Sequence, residues 1–588
     1  AGGPILDAAS VGQQRLEYLR GWSANEGSGV GQFRARTVSK LGDIIDSNPW
    51  YVGQPQAGYS DDDHPGYAAF RASRLARKPV IYLGANDGML HGFDASFDPV
   101  TNLPTATSGN EVLGYVPARV FGKLSKLTSQ TYNSSHQYYV NSSPMVGDAD
   151  FSSTGADWKT VLVSGLGQGG QGYFALNVTD PASFAESNAA SLVLWEFTDQ
   201  DDRDMGYTFN QPTVNSLNKL SAQIVRMNNN KWAVVVGNGY NNTEADGNAS
   251  TTGHAVLYIL YLSNTFSGTW TLGTDYIKIT TGSGTLASPN GLATPLPVDT
   301  NGDGRVDLIY AGDLNGNMWK FDVSSASPAS WGVANAGSPL FAAPAGQPIT
   351  SAPQVFPHPN GGRMVLFGTG KFIETADASG PFATQTLYGV WDNGSTVTLS
   401  DLVAQTVTDT VSGAGTSFRT VSSNAVNYAG TSPAKGWFLN LPATGETVPF
   451  NTLIKSGLAL FSSMIPSPDP CAFGGDGWLM ALEPLTGWAS ASGSFDADGD
   501  GSITPTESVT TVSGTTLSVP VAGRKSTVGI SPTPTILDVP SAAGGLYGSG
   551  GGGGDGMVYA NGTGGLERFG LQGQPGSRGR IMWKEILQ

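Results

Sequence analysis

Short runs of β-branched and apolar residues that end near a glycine recur along the chain, each followed by a turn and a second apolar run. This pattern is typical of paired β-strands. Seven pairs are predicted, with first strands at VIYLG (80–84), VLVSG (161–165), VVVG (234–237), LIYAG (308–312), VLFG (365–368), LALFSS (458–463) and GMVYANG (556–562). The partner strands are GMLHGFDAS (88–96), GYFALNVTDP (172–181), AVLYILYLSN (255–264), NMWKFDVSS (317–325), TLYGVWDNG (386–394), GWLMALEPLTG (477–487) and GLERFG (565–570). Helical spacing of apolar residues occurs over 5–20 and predicts one N-terminal helix.

The spacing of these pairs indicates the fold class. The glycines that close the first five of them, at positions 84, 165, 237, 312 and 368, lie 56–81 residues apart. Propeller blades usually recur at about 40–50 residues, so these would be blades that carry insertions. We therefore expect an all-β fold, a modified seven-bladed β-propeller with inserted loops and hairpins and a short N-terminal helix. A pair of β-sandwiches would show the same strand–turn–strand pattern and is the alternative.

The same pattern predicts the domain organisation. Residues 1–60 form the helix and a lead-in segment, and residues 61–588 form the propeller. The inserted regions are expected at about 97–140, 395–450 and 488–525, where polar, Thr/Ser-rich sequence separates the strand pairs.

The composition excludes several classes of protein and of binding site. With 39% hydrophobic and 10% aromatic residues the chain can bury a large core, unlike a disordered chain. Its net charge of −16 would repel nucleic acid, whose binding depends on cationic side chains, and favours divalent cations as ligands. The single cysteine, Cys471, excludes an intrachain disulfide and a Cys-rich zinc site.

The sequence also bears on targeting. It contains no apolar run of the length that spans a bilayer, so no transmembrane segment is predicted. The first residues, AGGPILDAAS, lack the basic and apolar pattern of a signal peptide, and we expect the chain to be a fragment of a longer protein.

The segment 299–307, DTNGDGRVD, is the sharpest local motif. Oxygen-bearing side chains stand at positions 1, 3, 5 and 9, and Gly304 at position 6 permits a sharp turn, which is the pattern of a calcium loop. Position 12 is Tyr310 rather than glutamate, so the loop is not a helix–loop–helix EF-hand. The predicted ligands of Ca²⁺ are Asp299, Asn301, Asp303, the backbone carbonyl of Arg305, and Asp307. An Asp/Asn/Gly turn without an ion is the alternative.

A second segment, DADGDGSITPTE at 496–507, matches the full twelve-residue loop pattern. The flanking sequence is not helical, so we expect the loop to lie between strands. Pro505 inside it is unusual. The predicted ligands are Asp496, Asp498, Asp500, the backbone carbonyl of Ser502, Thr504 and Glu507. An acidic surface turn is the alternative.

Other candidate sites are weaker. The run Asp61-Asp62-Asp63-His64 is predicted to be a solvated acidic loop, because adjacent residues rarely share one ion. The five histidines are scattered without a metal-ligand spacing, and no nucleophile, zinc-protease or complete phosphate-binding motif is present. The sequence therefore gives no support for an enzyme.

The segments that carry the repeats also carry a family likeness. The string NGLATPLPVDTNGDGRVDLIYAGDLNGNMWKFDV (290–323) resembles the signature segment of the PilY/PilC family of type IV pilus tip-associated proteins. Supporting strings are LGDIIDSNPWYVGQP (41–55), VIYLGANDGMLHGFDA (80–95), MGYTFNQPTV (205–214) and WAVVVGNGYN (232–241).

This resemblance implies the C-terminal propeller of an exported pilus-tip protein at the bacterial surface, associated with the outer membrane. Such proteins support pilus biogenesis, calcium-linked control of retraction, twitching motility and adhesion. The expected partners are minor pilins and host-cell or abiotic surfaces. The family's calcium loop maps onto Asp299, Asn301, Asp303, Arg305 and Asp307, whereas the loop at 496–507 rests on its motif alone.

Two other functions remain open. One is a secreted, non-pilus propeller that binds carbohydrate or protein. The other is a quinoprotein-type dehydrogenase, which also pairs a propeller with calcium. Such sites typically contain two vicinal cysteines, whereas this chain has only Cys471.

Overall fold

The computed structural model describes residues 9–152, 154–215, 220–413, 415–467, 474–491, 493–500, 502–511, 514, 516–538 and 556–572. Cys471 lies outside these residues. The chain forms two compact units. One contains the residues up to Asp307 together with Val323–Trp331, and the other contains Leu308–Asp322 together with the residues from Gly332 onward. Within the described ranges, no helix has both the length and the apolar character needed to cross a membrane.

The first unit begins with the predicted helix, α1 (Ala9–Leu19), and contains two shorter ones, α2 (Tyr67–Ser73) and α3 (Ala189–Leu192). An eleven-residue 3₁₀ helix covers Ala118–Thr128. Three four-stranded antiparallel sheets follow one another along the chain. Their strands are β1 (Trp50–Val52), β2 (Val80–Gly84), β3 (Leu90–Asp94), β4 (Glu111–Tyr115); β5 (Met145–Asp150), β6 (Trp158–Gly165), β7 (Gly172–Asn177), β8 (Val193–Thr198); and β9 (Ile224–Arg226), β10 (Trp232–Gly237), β11 (Val256–Leu262), β12 (Tyr276–Thr280). A further strand, β13 (Leu296–Val298), leads into the first acidic loop.

The second unit is also built from sheets. Its first four strands are β14 (Leu308–Gly312), β15 (Asn317–Asp322), β16 (Gly332–Val333) and β17 (Phe341–Ala342). A five-stranded sheet contains β18 (Gln354–Pro357), β19 (Arg363–Gly368), β20 (Thr386–Asp392), β21 (Val403–Gln405) and β24 (Gly436–Asn440). An eight-stranded sheet contains β22 (Val407–Gly413), β23 (Thr416–Val421), β25 (Leu453–Lys455), β26 (Leu458–Pro466), β27 (Gly475–Leu482), β28 (Glu507–Thr511), β29 (Thr516–Val519) and β30 (Gly523–Lys525). The last sheet has three strands, β31 (Thr535–Asp538), β32 (Gly556–Gly562) and β33 (Gly565–Leu571).

Each of the seven predicted strand pairs forms an antiparallel ladder. The prediction of seven blades is nevertheless wrong, because the structure has six. Six pairs belong to sheets of four strands or more, whereas β32 and β33 are joined only by β31 among the described residues. A strand–turn–strand pattern marks a hairpin, and a hairpin becomes a blade only when further strands complete it.

The core of the first unit lies between its sheets. Every residue of β10 and β11 is buried, which explains why these strands have almost uninterrupted apolar sequences. Aromatic residues from the segment between β1 and β2 pack onto this core. Tyr59 lies 5.7 Å from Trp232 between ring centroids, and Tyr67 lies 4.9 Å from Trp158.

The second unit contains a buried ion pair. Arg419 on β23 donates two hydrogen bonds to the carboxylate of Glu446, at 2.7 and 2.8 Å, and the side chains are only 2% and 0% exposed. The hydroxyl of Ser463 donates a third bond to Glu446, at 2.6 Å, and the guanidinium lies 3.9 Å from the ring centroid of Trp478. Both oxygens of the Glu446 carboxylate accept bonds from Arg419, whose Nε has no partner among the described residues. Removal of one member of the pair would leave a buried charge uncompensated.

We predict that Arg419→Met lowers the free energy of unfolding by about 3–5 kcal/mol, because the Glu446 carboxylate would stay buried without its cation. Urea denaturation followed by tryptophan fluorescence measures the change. The matched control is Arg20→Met, which breaks an ion pair with Glu186 whose side chains are 53% and 83% exposed and is expected to cost at most about 1 kcal/mol. Similar losses in the two variants would contradict the prediction.

Candidate metal centres

The first acidic loop, residues 299–307, directly follows β13 and belongs to the first unit. The Asp299 carboxylate accepts backbone N–H bonds from Asn301 at 3.1 Å and Gly302 at 2.7 Å through one oxygen, and from Gly304 at 2.8 Å through the other. Gly302 and Gly304 have φ values of 82° and 75°, in the left-handed region that glycine adopts without strain. These bonds curl the loop around Asp299 as the motif predicts.

In the middle of this loop, the Asp303 carboxylate is already bonded to the side chain of Arg305. Asp303 accepts the backbone N–H of Arg305 at 2.9 Å and a guanidinium N–H of the same residue at 3.3 Å. The side-chain oxygen of Asn301 accepts the backbone N–H of Asp303 at 2.9 Å. An arriving metal ion would therefore compete with Arg305 for the Asp303 carboxylate.

Asp307 is buried at the end of the loop and has other partners. One carboxylate oxygen accepts the backbone N–H and hydroxyl of Thr300 at 2.9 and 2.6 Å, and the other accepts the amide of Asn228 at 3.2 Å. The carboxylate oxygens of Asp299, Asp303 and Asp307 do not all lie within 4.8 Å of one another. The structure thus brings the predicted ligands into one loop but leaves their carboxylates spread among bonds within the protein.

The second acidic loop, in the second unit, gathers its carboxylates more closely. Asp496, Asp498 and Asp500 place one oxygen each within 4.8 Å of one another, the only such acidic or histidine/cysteine group in the described ranges. Ca²⁺ binds oxygen at 2.3–2.6 Å, so oxygens on opposite sides of one ion stand about 5 Å apart. Asp498 and Asp500 are exposed, and Gly501 lies outside the described residues. The three aspartates fit a hard cation by donor type and by separation.

Glu507, at the last position of this loop, is only 1% exposed and closes the loop. One oxygen accepts the backbone N–H and hydroxyl of Thr504 at 2.7 and 3.0 Å, and the other accepts the backbone N–H of Ala497 at 2.8 Å. Ser502 is exposed, and its N–H donates to Asp500 at 2.7 Å. Glu507 also begins β28, so the predicted location of the end of this loop at a strand rather than a helix is confirmed.

One contact of the first loop could not be predicted from the sequence. Asp61, Asp62 and Asp63 are exposed, as predicted, but His64 is 7% exposed and stacks on Tyr59 with 4.4 Å between ring centroids. A Cβ atom on Gly304 would stand 2.8 Å from the His64 ring. The imidazole therefore packs directly on the turn of the first loop.

The charge state of His64 follows from its surroundings. Burial, together with the nearby Arg226 and Arg305, lowers the pKa of the imidazole to about 4, although Asp63 opposes them. His64 is therefore neutral at physiological pH and adds no positive charge beside the loop.

Arg226 on β9 forms hydrogen bonds to both the His64 segment and the first loop. Its guanidinium donates to the backbone carbonyl of Asp63 at 2.5 Å, and its own carbonyl accepts the N–H of Val306 at 3.0 Å. Arg305 adds a bond from Nε to the amide oxygen of Asn230 at 2.9 Å. The first loop is thus held against the segment that carries His64 by contacts between residues far apart in sequence.

We predict that Gly304→Ala destabilises the protein by about 1 kcal/mol or more beyond Gly58→Ala. Both glycines have φ near +75°, but a Cβ at Gly58 meets nothing within 4 Å, so the difference isolates the His64 contact. In a His64→Ala background the two substitutions are expected to cost the same. Urea denaturation checks this, and an excess cost that persists without the imidazole would contradict the proposed contact.

Comparison with known proteins bears on these loops. A family model described as the PilY1 beta-propeller domain matches residues 41–415, a range that includes the first loop and ends before the second. A type IV pilus biogenesis factor PilY1 from Pseudomonas aeruginosa (strain PAK) is 37% identical over 537 residues, covering 83% of this chain and 42% of the relative. A PilY1 homolog from Xylella fastidiosa is 34% identical over 505 residues, covering 81% of this chain and 31% of the relative. The chain therefore spans less than half the length of these curated relatives.

The fold has a solved counterpart. The crystal structure of the Pseudomonas aeruginosa PilY1 C-terminal domain matches with a TM-score of 0.65 and 30% identity, covering 90% of this chain and 99% of that one. This match supports the propeller prediction. Together with the extended sequence matches, it shows that the chain belongs to the PilY1 family of β-propeller proteins.

Proposed function

We propose that the chain is the propeller portion of a type IV pilus biogenesis factor that acts at the pilus tip on the cell surface, through binding rather than catalysis. The observation that carries this proposal is the match to PilY1 over 83% of the chain, together with a family model whose range, 41–415, includes all the sheets of the first unit. Minor pilins are the proposed partners within the pilus, and host-cell or abiotic surfaces are the proposed adhesion targets.

We predict that the chain can replace the matching region of the Pseudomonas aeruginosa PilY1 protein. A strain that lacks PilY1 and expresses the chimaera is expected to recover surface pili and twitching. Electron microscopy and twitching-zone diameter measure recovery. The matched control carries Arg419→Met, which is expected to fail through instability. A chimaera that is exported and folded but restores no pili would contradict the proposed function.

We further propose that calcium controls this activity. In the first loop Asp299, Asn301, Asp303, the carbonyl of Arg305 and Asp307 would supply oxygen ligands. In the second loop the ligands would be Asp496, Asp498, Asp500, the carbonyl of Ser502, Thr504 and Glu507. Hard oxygen donors of this kind suit Ca²⁺, and extracellular calcium modules bind it at about 10⁻⁴–10⁻³ M. The ion would neutralise the carboxylates that bind it and fix each loop in one conformation.

A link to pilus retraction requires that calcium favour one conformation of the protein over another. A ligand shifts such an equilibrium only by its difference in affinity for the two states. In the first loop, Asp303 would exchange its bond to Arg305 for a bond to the ion. That exchange would release the Arg305 guanidinium from Asp303 while its Nε bond to Asn230 remains, and this is the change by which calcium would alter the neighbouring surface.

We predict that calorimetric titration of the metal-free chain with Ca²⁺ shows two sites. Asp303→Ala is expected to abolish the first site and Asp500→Ala the second, each leaving the other intact. Asp98→Ala serves as the matched control, because this exposed aspartate lies in neither loop. No binding at millimolar Ca²⁺ would remove the ion from the proposal, and loss of both sites through either variant would show that the loops do not bind independently.

A further inference from the structure

A cavity of about 640 Å³ in the first unit runs along a strand edge. Its lining contains seven consecutive residues, 50–56, which are the three residues of β1 and the four that follow. Successive side chains of a strand point to opposite faces of a sheet. Since all three residues of β1 line the cavity, it borders this strand along its edge as well as on one face.

This edge of β1 is free in the part of the chain that the structure describes. β1 pairs with β2 in the register Trp50↔Tyr82 and Val52↔Val80, and no described strand pairs with its other side. An unpaired strand edge presents N–H and C=O groups that an extended peptide can hydrogen-bond. The cavity thus combines a free backbone edge with enough space for an added segment.

Partly exposed apolar side chains also line the cavity. Tyr51 and Phe97 are 53% and 51% exposed, and both belong to the lining together with Trp50. Large apolar side chains that remain exposed around a concave site are typical of a protein-binding surface. They would receive the alternate side chains of a peptide in extended conformation.

The wall of the cavity contains a cation without a direct carboxylate partner. The guanidinium of Arg77 donates to the carbonyl of Gly53 at 2.5 Å and to the hydroxyl of Thr160 at 2.6 Å. Burial lowers the pKa of Arg77, which reflects a charge that is only partly solvated. Buried charges are normally paired, so this guanidinium favours an anionic group on a ligand.

The other charged groups of the lining are already engaged. Lys78 is bound to Asp94 at 2.9 Å. Asp148 accepts bonds from the hydroxyls of Tyr67 at 2.7 Å and Thr160 at 2.6 Å, and burial raises the pKa of its carboxyl. The Thr160 hydroxyl, which accepts from Arg77 and donates to Asp148, stands between the two charges, so the guanidinium has no direct bond to this carboxylate.

We propose that this cavity binds an extended peptide segment of a partner protein, which adds to the free edge of β1. The segment places an acidic side chain at Arg77 and apolar side chains against Tyr51 and Phe97. None of the lining residues belongs to either acidic loop.

A phage-displayed library of random twelve-residue peptides, selected on the 588-residue chain, tests the proposal. Selected peptides are expected to share an acidic residue within an alternating apolar pattern. A fluorescein-labelled synthetic copy, measured by fluorescence anisotropy, is expected to bind at least tenfold more weakly to Tyr51→Ser and Phe97→Ser. The matched control is Phe121→Ser, which removes a 59% exposed ring outside the cavity and should leave binding unchanged.

Two changes to the peptide test its chemistry without altering the protein. Replacing its acidic residue by the matching amide is expected to weaken binding at least tenfold. Backbone N-methylation at alternate residues is expected to abolish binding for one of the two alternating sets only, because only one set faces β1.

Three results would overturn the proposal. The first is a library that yields no peptide sensitive to Tyr51→Ser. The second is equal tolerance of both N-methylated sets, which would exclude strand addition. The third is binding of oligogalacturonate, but of no peptide, in a manner sensitive to Tyr51→Ser, which would assign the cavity to an acidic glycan instead. Thermal unfolding of each variant confirms that the lost binding does not come from lost folding.

Discussion

The burial of paired strands on both faces is the constraint on which the rest of the structure depends. Every residue of β10 and β11 is buried, so their backbone N–H and C=O groups have no access to water and must be bonded by neighbouring strands. β9 and β12 provide those bonds on either side. A central hairpin therefore requires outer strands, and the connections between strands are the segments left free to carry polar chemistry.

The two acidic loops are examples of connections that carry polar side chains. In both loops an aspartate at the first position accepts backbone N–H groups of the following turn, as Asp299 does from Gly304 and Asp496 does from Gly499. Each turn is thus shaped by its own carboxylates. Such preorganisation reduces the conformational entropy that a ligand must overcome.

Local patterns predicted much more of this molecule than non-local ones. The seven hairpins were predictable because an apolar run, a glycine and a second apolar run are adjacent in sequence. The blade count was not, because it depends on pairings between distant segments, such as β23 with β30 in the eight-stranded sheet. The metal-ligand spacing was equally local. The partners of Asp307, and the imidazole that packs on Gly304, come from segments that no spacing rule connects to the loop.

The contact between His64 and Gly304 limits how the first loop can influence the rest of its unit. The imidazole is neutral, so it would affect a cation bound in the loop through packing and not through its own charge. Its stacking on Tyr59 links the loop to the aromatic core, whereas the exposed aspartates before it face solvent. A change in the loop therefore reaches the core through van der Waals packing, which salt does not screen. Arg226 supplies the polar counterpart, because it bonds the backbone on both sides of that contact.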